Sequence, residues 1–74
     1  MFIIKLETRH IDSYYNADTK TFTLSPEPAK QYSSRNQANK DKAEAEQGGG
    51  FALVVDYDEE SREYWKEFNA QHNS

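Results

Sequence analysis

The sequence predicts an α+β fold: one small domain with a three- or four-stranded sheet and helices packed on one face of it. Three observations predict this. Apolar residues alternate with a period of two over residues 2–8 and again over 51–57, which marks strands. They change to helical spacing over 58–71. The chain has 74 residues and no cysteine, so residues 1–74 form a single domain held by one apolar core, with no disulfide framework to help it. An aromatic share of 14% suits so small a core, because each ring buries a large area from one position.

The elements follow in order. In FIIKLET, Phe2, Ile4 and Leu6 form one face of a strand, and Ile3 on the other side predicts partial cover there too. Over 12–24, Tyr14 and Tyr15 lie on a second strand and Phe22 and Leu24 on a third. Asn16-Ala17-Asp18-Thr19-Lys20 between them is turn chemistry, since Asn and Asp side chains bond nearby main chain. The two prolines of SPEP stop the strand and force an extended loop. Ala29 to Tyr32 reads as a short strand or approach segment anchored by Tyr32.

Ser34 with Gln37 fits a capping box, and Ala38, Ala43 and Ala45 favour a helix through residue 47. Gly48-Gly49-Gly50 stops it, because glycine suits the left-handed position after a helix end. The apolar stripe of this helix is thin, so it must lie close on the sheet. FALVVDY then predicts the most apolar strand of the chain, placed centrally in the sheet. Asp58 is an expected N-cap for the last helix, with Glu59 and Glu60 in its first turn and Ser61, Tyr64, Trp65 and Phe68 at docking spacing. Residues 72–74 are expected to fray.

The formal charge of −4 is unevenly placed. Up to residue 50, acids and bases balance. Beyond it, Asp56, Asp58, Glu59, Glu60, Glu63 and Glu67 face only Arg62 and Lys66. Nucleic-acid binding rests on Lys and Arg meeting phosphates, so this balance argues against a direct nucleic-acid partner and for a protein partner with a basic surface. Glu59, Glu63 and Glu67 recur every four residues and make one acidic ridge on the last helix, which Asp56 and Asp58 extend. Adjacent Tyr14 and Tyr15 point to opposite faces of their strand, so one ring is expected at the surface, where aromatics favour interfaces. The structural counterparts of these readings are a solvated helix face and two rings that both cover the core.

Signs of catalysis are sparse. His10 and Asp12 share a face if both lie on a strand, and could pair as a base and its orienter, but no nucleophile motif sits beside them. The carboxylates from Asp56 to Glu60 surround a helix start, where acids are expected for capping. They lack the glycine and spacing of a calcium loop. The glycine run follows a helix and opens a strand, the reverse of a phosphate loop. With two histidines near opposite ends and no cysteine, no metal ligand set and no cofactor is expected. The run Phe2-Ile3-Ile4 is broken by Lys5, too short for a targeting core or membrane span, so the expected address is cytoplasmic.

In layout, FIIKLE, the hairpin YYNADTKTFTL, AKQYSS leading into a helix with spaced alanines, a glycine stop and FALVVDY make residues 2–57 resemble the small uncharacterised accessory proteins of bacteriophage and prophage genomes. The resemblance implies a protein that binds and disables a host protein such as RNA polymerase, a nuclease or a defence complex, in the host cytoplasm. It carries over no functional residues. The expectation is therefore a non-catalytic protein-binding protein, monomeric or dimeric. Its candidate surface is Asp56, Asp58, Glu59, Glu60, Glu63 and Glu67 with Tyr14 and Tyr15. One alternative is a structural or assembly protein that self-associates through an exposed strand edge. A second is a small enzyme or ligand binder built on His10 and Asp12.

Overall fold

The structure, a computed structural model, describes residues 1–72. The chain runs through β1 (Phe2–Glu7), β2 (Asp12–Asn16), β3 (Thr21–Thr23), α1 (Arg35–Ala45), one 3-10 turn (Glu46–Gly48), β4 (Phe51–Asp56) and α2 (Tyr57–His72). The four strands form one antiparallel sheet in the order β3-β2-β1-β4. The α+β class and the element order expected from the sequence are those observed. Of the tail expected to fray, His72 is the last residue of α2, and the other two lie outside the described residues.

The hairpin forms for the reason its sequence suggests. The Asn16 side-chain oxygen accepts the N–H groups of Asp18 (2.9 Å) and Thr19 (3.2 Å), and Lys20 takes a positive φ of 58° to close the turn. The Asn16 amide also donates to the Pro28 carbonyl at 2.7 Å, which ties the proline loop to the hairpin. Tyr32 then pairs with Phe2 through two main-chain hydrogen bonds of 2.8 Å, as an isolated bridge beyond the end of β2.

The strand with the most apolar sequence, β4, is an edge strand and not the central one expected. Its apolar run reflects cover on both faces, not neighbours on both sides. Register pairs Ile4 with Val54 and Ile3 with Val55, so the two sets of β4 side chains face opposite layers. The hairpin had already taken the other flank of β1, which left only this side for a returning strand. The helix expected through residue 47 ends at Ala45 and tightens into the 3-10 turn. The glycines then reverse the chain at positive φ, 103° at Gly49 and 94° at Gly50, with Gly49 at ψ 166° and so extended, not in the left-handed helical position expected. At Gly50 a Cβ would meet the Glu7 carbonyl oxygen at 3.0 Å, so glycine is also what lets the chain enter β4 so close to β1.

The two helices lie on opposite faces of the sheet, where the sequence suggested one. Ala38 and Ala45 of α1 are fully buried against Ile4, Leu6, Tyr15, Tyr32 and Ala52. Ile3, Tyr14 and Ala29 cluster on the other face with Val55 and Tyr57, and α2 lies over that face through Glu60, which bonds Tyr14 and Lys5. With one face closed by α1, uncovered apolar surface for α2 remained only on the other. The cap of α2 is Asp56, not Asp58: its carboxylate accepts from the N–H groups of Asp58 (2.9 Å) and Glu59 (3.2 Å). The helix therefore starts directly from the end of β4, and Asp58 falls in its first turn. At α1, Ser34 caps as expected, its hydroxyl accepting from the Gln37 N–H at 3.3 Å.

Candidate functional site

Lys5 leaves β1 on the α2 face, opposite Tyr14 of β2. Both side chains are flanked by apolar residues, so their polar ends need partners. Glu60, one turn into α2, supplies both from one carboxylate oxygen. The Lys5 ammonium donates to it at 2.7 Å and the Tyr14 hydroxyl at 2.8 Å. Burial alone would lower the Lys5 pKa, but the hydrogen bond and charge of Glu60 outweigh it and leave it raised. The Tyr14 phenol is pushed up by burial first, then by its bond to Glu60 and that carboxylate's charge. This three-residue network fixes α2 on the sheet, and it holds its two protons firmly near neutral pH.

Beyond the network the helix and the sheet part. A cleft of about 630 Å3 opens between α2 and the ends of β1 and β2. Apolar surface comes from Ile11 and Leu24, which are 52% and 62% exposed, together with Tyr64 and Phe68 of α2. The charged lining is Asp12, Glu60, Glu63 and Glu67 against Lys5 alone. Lys5 is committed to Glu60 at 2.7 Å and stands 3.8 Å from Asp12, so the cleft keeps a surplus of negative charge on an apolar lining. Trp65 is outside the lining but packs edge-on against Phe68, which is in it, at 5.2 Å between ring centres, and its indole N–H donates to the Glu27 carboxylate.

The structure sorts the residues singled out from sequence. Glu59, Glu63 and Glu67 are exposed on α2, as is Asp58. Glu60 does not belong to that outward set, since Lys5 and Tyr14 hold it against the sheet. Asp56 is spent on the helix cap. Tyr14 and Tyr15 do point to opposite faces, but both are buried at 4% exposure, so neither offers a surface ring. The exposed rings are others: Phe22, Phe51, Trp65 and Phe68. Alternation marked Phe22 and Phe51 as sheet residues, but strand periodicity cannot say which end of a face a helix leaves uncovered. Leu24, expected on the third strand with Phe22, lies just past its end, because β3 stops at Thr23 ahead of the proline loop. Ile11, which sequence reasoning passed over, is like it a large aliphatic residue in polar, loop-forming surroundings.

His10 lies in the bend between β1 and β2, exposed and outside the cleft lining, while Asp12 at the start of β2 faces Lys5. The two do not share a strand face, because the strand begins only at Asp12. Among the described residues no group of three or more His, Cys, Asp or Glu side chains is placed to hold a metal ion, and no helix is long and apolar enough to cross a membrane. No protein-family model, curated protein or solved structure matches the chain.

Proposed function

We propose that this protein is a non-catalytic binding module whose α2 cleft takes a basic, partly apolar segment of another protein. The observation that carries the proposal is the pairing of two features in one place: an apolar lining of exposed Ile11 and Leu24, and a surplus of carboxylates in which Lys5 is already neutralised by Glu60. Apolar contact supplies affinity, while Glu63 and Glu67 select for a cationic partner and speed its approach. By the phage resemblance, that partner is a host protein whose basic site is occluded.

The single tryptophan gives a test, because Trp65 packs against Phe68 of the cleft lining. A synthetic peptide alternating lysine and leucine is expected to shift Trp65 emission saturably, and a glutamate–leucine peptide is not. Added salt weakens the binding, since exposed charges are screened within about 10 Å at 0.1 M. Glu63→Lys with Glu67→Lys is expected to weaken it by about tenfold or more at low salt, through repulsion in place of attraction. Equal affinity of the double variant and the parent protein would overturn the proposal.

A further inference from the structure

The unpaired side of β4 carries a second surface, which meets the cleft only along Glu60 and Glu63 of α2. The Tyr57 N–H donates to the Met1 carbonyl at 2.9 Å, which sets the phase of the β1–β4 ladder. From that register Val55 with Ile3 and Leu53 with Lys5 exchange main-chain bonds, and the N–H and C=O groups of Ala52 and Val54 point away from the sheet. An edge of this kind is a template for another strand. Its sequence, FALVVD, is β-branched and apolar, has no proline, and bears no charge before Asp56, which is the composition that pairs with itself.

Two of these outward groups are already occupied, by charged side chains from the two ends of α1. The Arg35 guanidinium, on the first residue of α1, donates to the Val54 carbonyl at 3.2 Å. The Glu46 carboxylate, just past its last residue, accepts from the Ala52 N–H at 2.9 Å. Arg35 is also positioned over the Phe2 ring, 4.9 Å from its centre, which orients the guanidinium toward the edge. Beyond Arg35 the edge opens into a groove of about 300 Å3 between Val54 and Val55 on one side and Glu59 and Glu63 of α2 on the other, and among the described residues no strand pairs with β4 there.

We infer that β4 is a latent pairing surface for a second copy of this chain, held shut by Arg35 and Glu46. The occupant is a second copy because an antiparallel edge centred on Val54 is complementary to itself under two-fold symmetry: each copy offers the same outward N–H and C=O groups in reversed order. The two clamps supply, within one chain, the bonds that the second copy would otherwise make. They are short of a full set, so they block pairing without replacing a strand.

The test is sedimentation of the parent protein and of Arg35→Ala with Glu46→Ala over a hundredfold concentration range. The parent is expected to keep a constant monomer mass and the double variant to double its mass as concentration rises. Adding Val54→Pro should restore the monomer, because the Val54 N–H faces outward and its loss breaks no bond to β1. A double variant with unchanged circular dichroism that stays monomeric overturns the inference, and so does association that Val54→Pro leaves intact. If the double variant fails to fold, amide exchange of the Glu46→Ala single variant decides. The Ala52 amide is expected to exchange about tenfold faster than in the parent, and an Ala52 amide unprotected in the parent would overturn the clamp.

Discussion

The two faces of this sheet solve different problems with the same four strands. On the α1 face, small residues bring the helix down onto the strands: Ala38, Ala45 and Ala52 are fully buried beside Ile4. The polar groups at its margin, such as the Tyr32 hydroxyl bonded to Asp41 at 2.5 Å, are satisfied locally. On the α2 face the contact is a half-buried polar network at one end of the helix and an open cleft at the other. The first face holds the fold and the second leaves surface available. A helix of alanines can approach closely but has little to offer a partner, whereas a helix with Tyr64, Trp65 and Phe68 stands off the sheet and leaves room beside them.

The sharpest test of that contrast is Ile4→Ala, on the closed face. Ile4 has no exposed surface, so the change leaves a cavity that the packed alanines cannot fill and is expected to cost about 2–5 kcal/mol. A chain of this length has about 4–11 kcal/mol of stability in all. Thermal melting should therefore show a variant at or near unfolding. A small change would mean that the α1 face is less tightly packed than its burial indicates.

On the open face the corresponding large residue should matter less. Trp65 is 41% exposed and much of its contact is with Tyr64 and Phe68 of its own helix. Trp65→Ala is expected to cost about 2 kcal/mol, below the 3–5 kcal/mol of a fully buried ring. A loss as large as that of Ile4→Ala would erase the distinction between the faces.

This contrast also marks what the sequence made legible. Period and capping chemistry located the strands of 2–8 and 51–57, the Asn16 turn, the Ser34 cap and the glycine stop, because each depends on residues close in sequence. Which face a helix covers depends on what the rest of the chain has already covered, and no local signal carries that. So β4 looked central when it is an edge, and Tyr64 and Phe68 of α2 looked like core when they line a cleft. Tyr14 and Tyr15 misled for the same reason. Their alternation was right, but two covered faces buried both. Of the candidate site, the acids at Glu59, Glu63 and Glu67 were legible as a ridge. Their apolar neighbours Ile11 and Leu24 arrive from loops more than 30 residues away in the chain.

The polar network gives the α2 face a pH signature. Tyr14 has a raised pKa in the folded state, from burial and then Glu60, and Lys5 is raised because Glu60 outweighs its burial. Both groups hold their protons more tightly folded than unfolded. Their stabilisation is thus fully present below the unfolded values near 10 and is lost as pH rises through the folded ones. Tyr32, raised by burial and then by Asp41, adds to the same alkaline loss from the α1 face. Melting temperature is expected to hold from pH 7 to about 9 and to fall above about 10. Tyr14→Phe should cost about 1 kcal/mol at neutral pH, for the lost hydrogen bond, and should flatten part of the alkaline fall. An unchanged alkaline slope would place the titration elsewhere.

The smallest expected change in stability belongs to the residues with the largest expected effect on binding. Glu63 and Glu67 are exposed, and neither supports the packing of α2, a role that falls to Glu60 and the aromatic stripe. Reversing both charges trades one repulsion for another. Glu59 gains a favourable partner four residues on, the 63–67 pair stays like-charged, and Lys66 acquires a like-charged neighbour at 63. These terms are a few tenths of a kcal/mol each and of mixed sign, so the melting temperature should move by less than about 4 °C. Binding of a cationic segment, in contrast, should weaken sharply and lose its salt dependence. If the double variant instead melts ten or more degrees lower, the carboxylates must be holding α2 to the sheet. The α2 face would then be a second stabilising face, and its acidic surplus would be a consequence of packing and no longer a means of recognition.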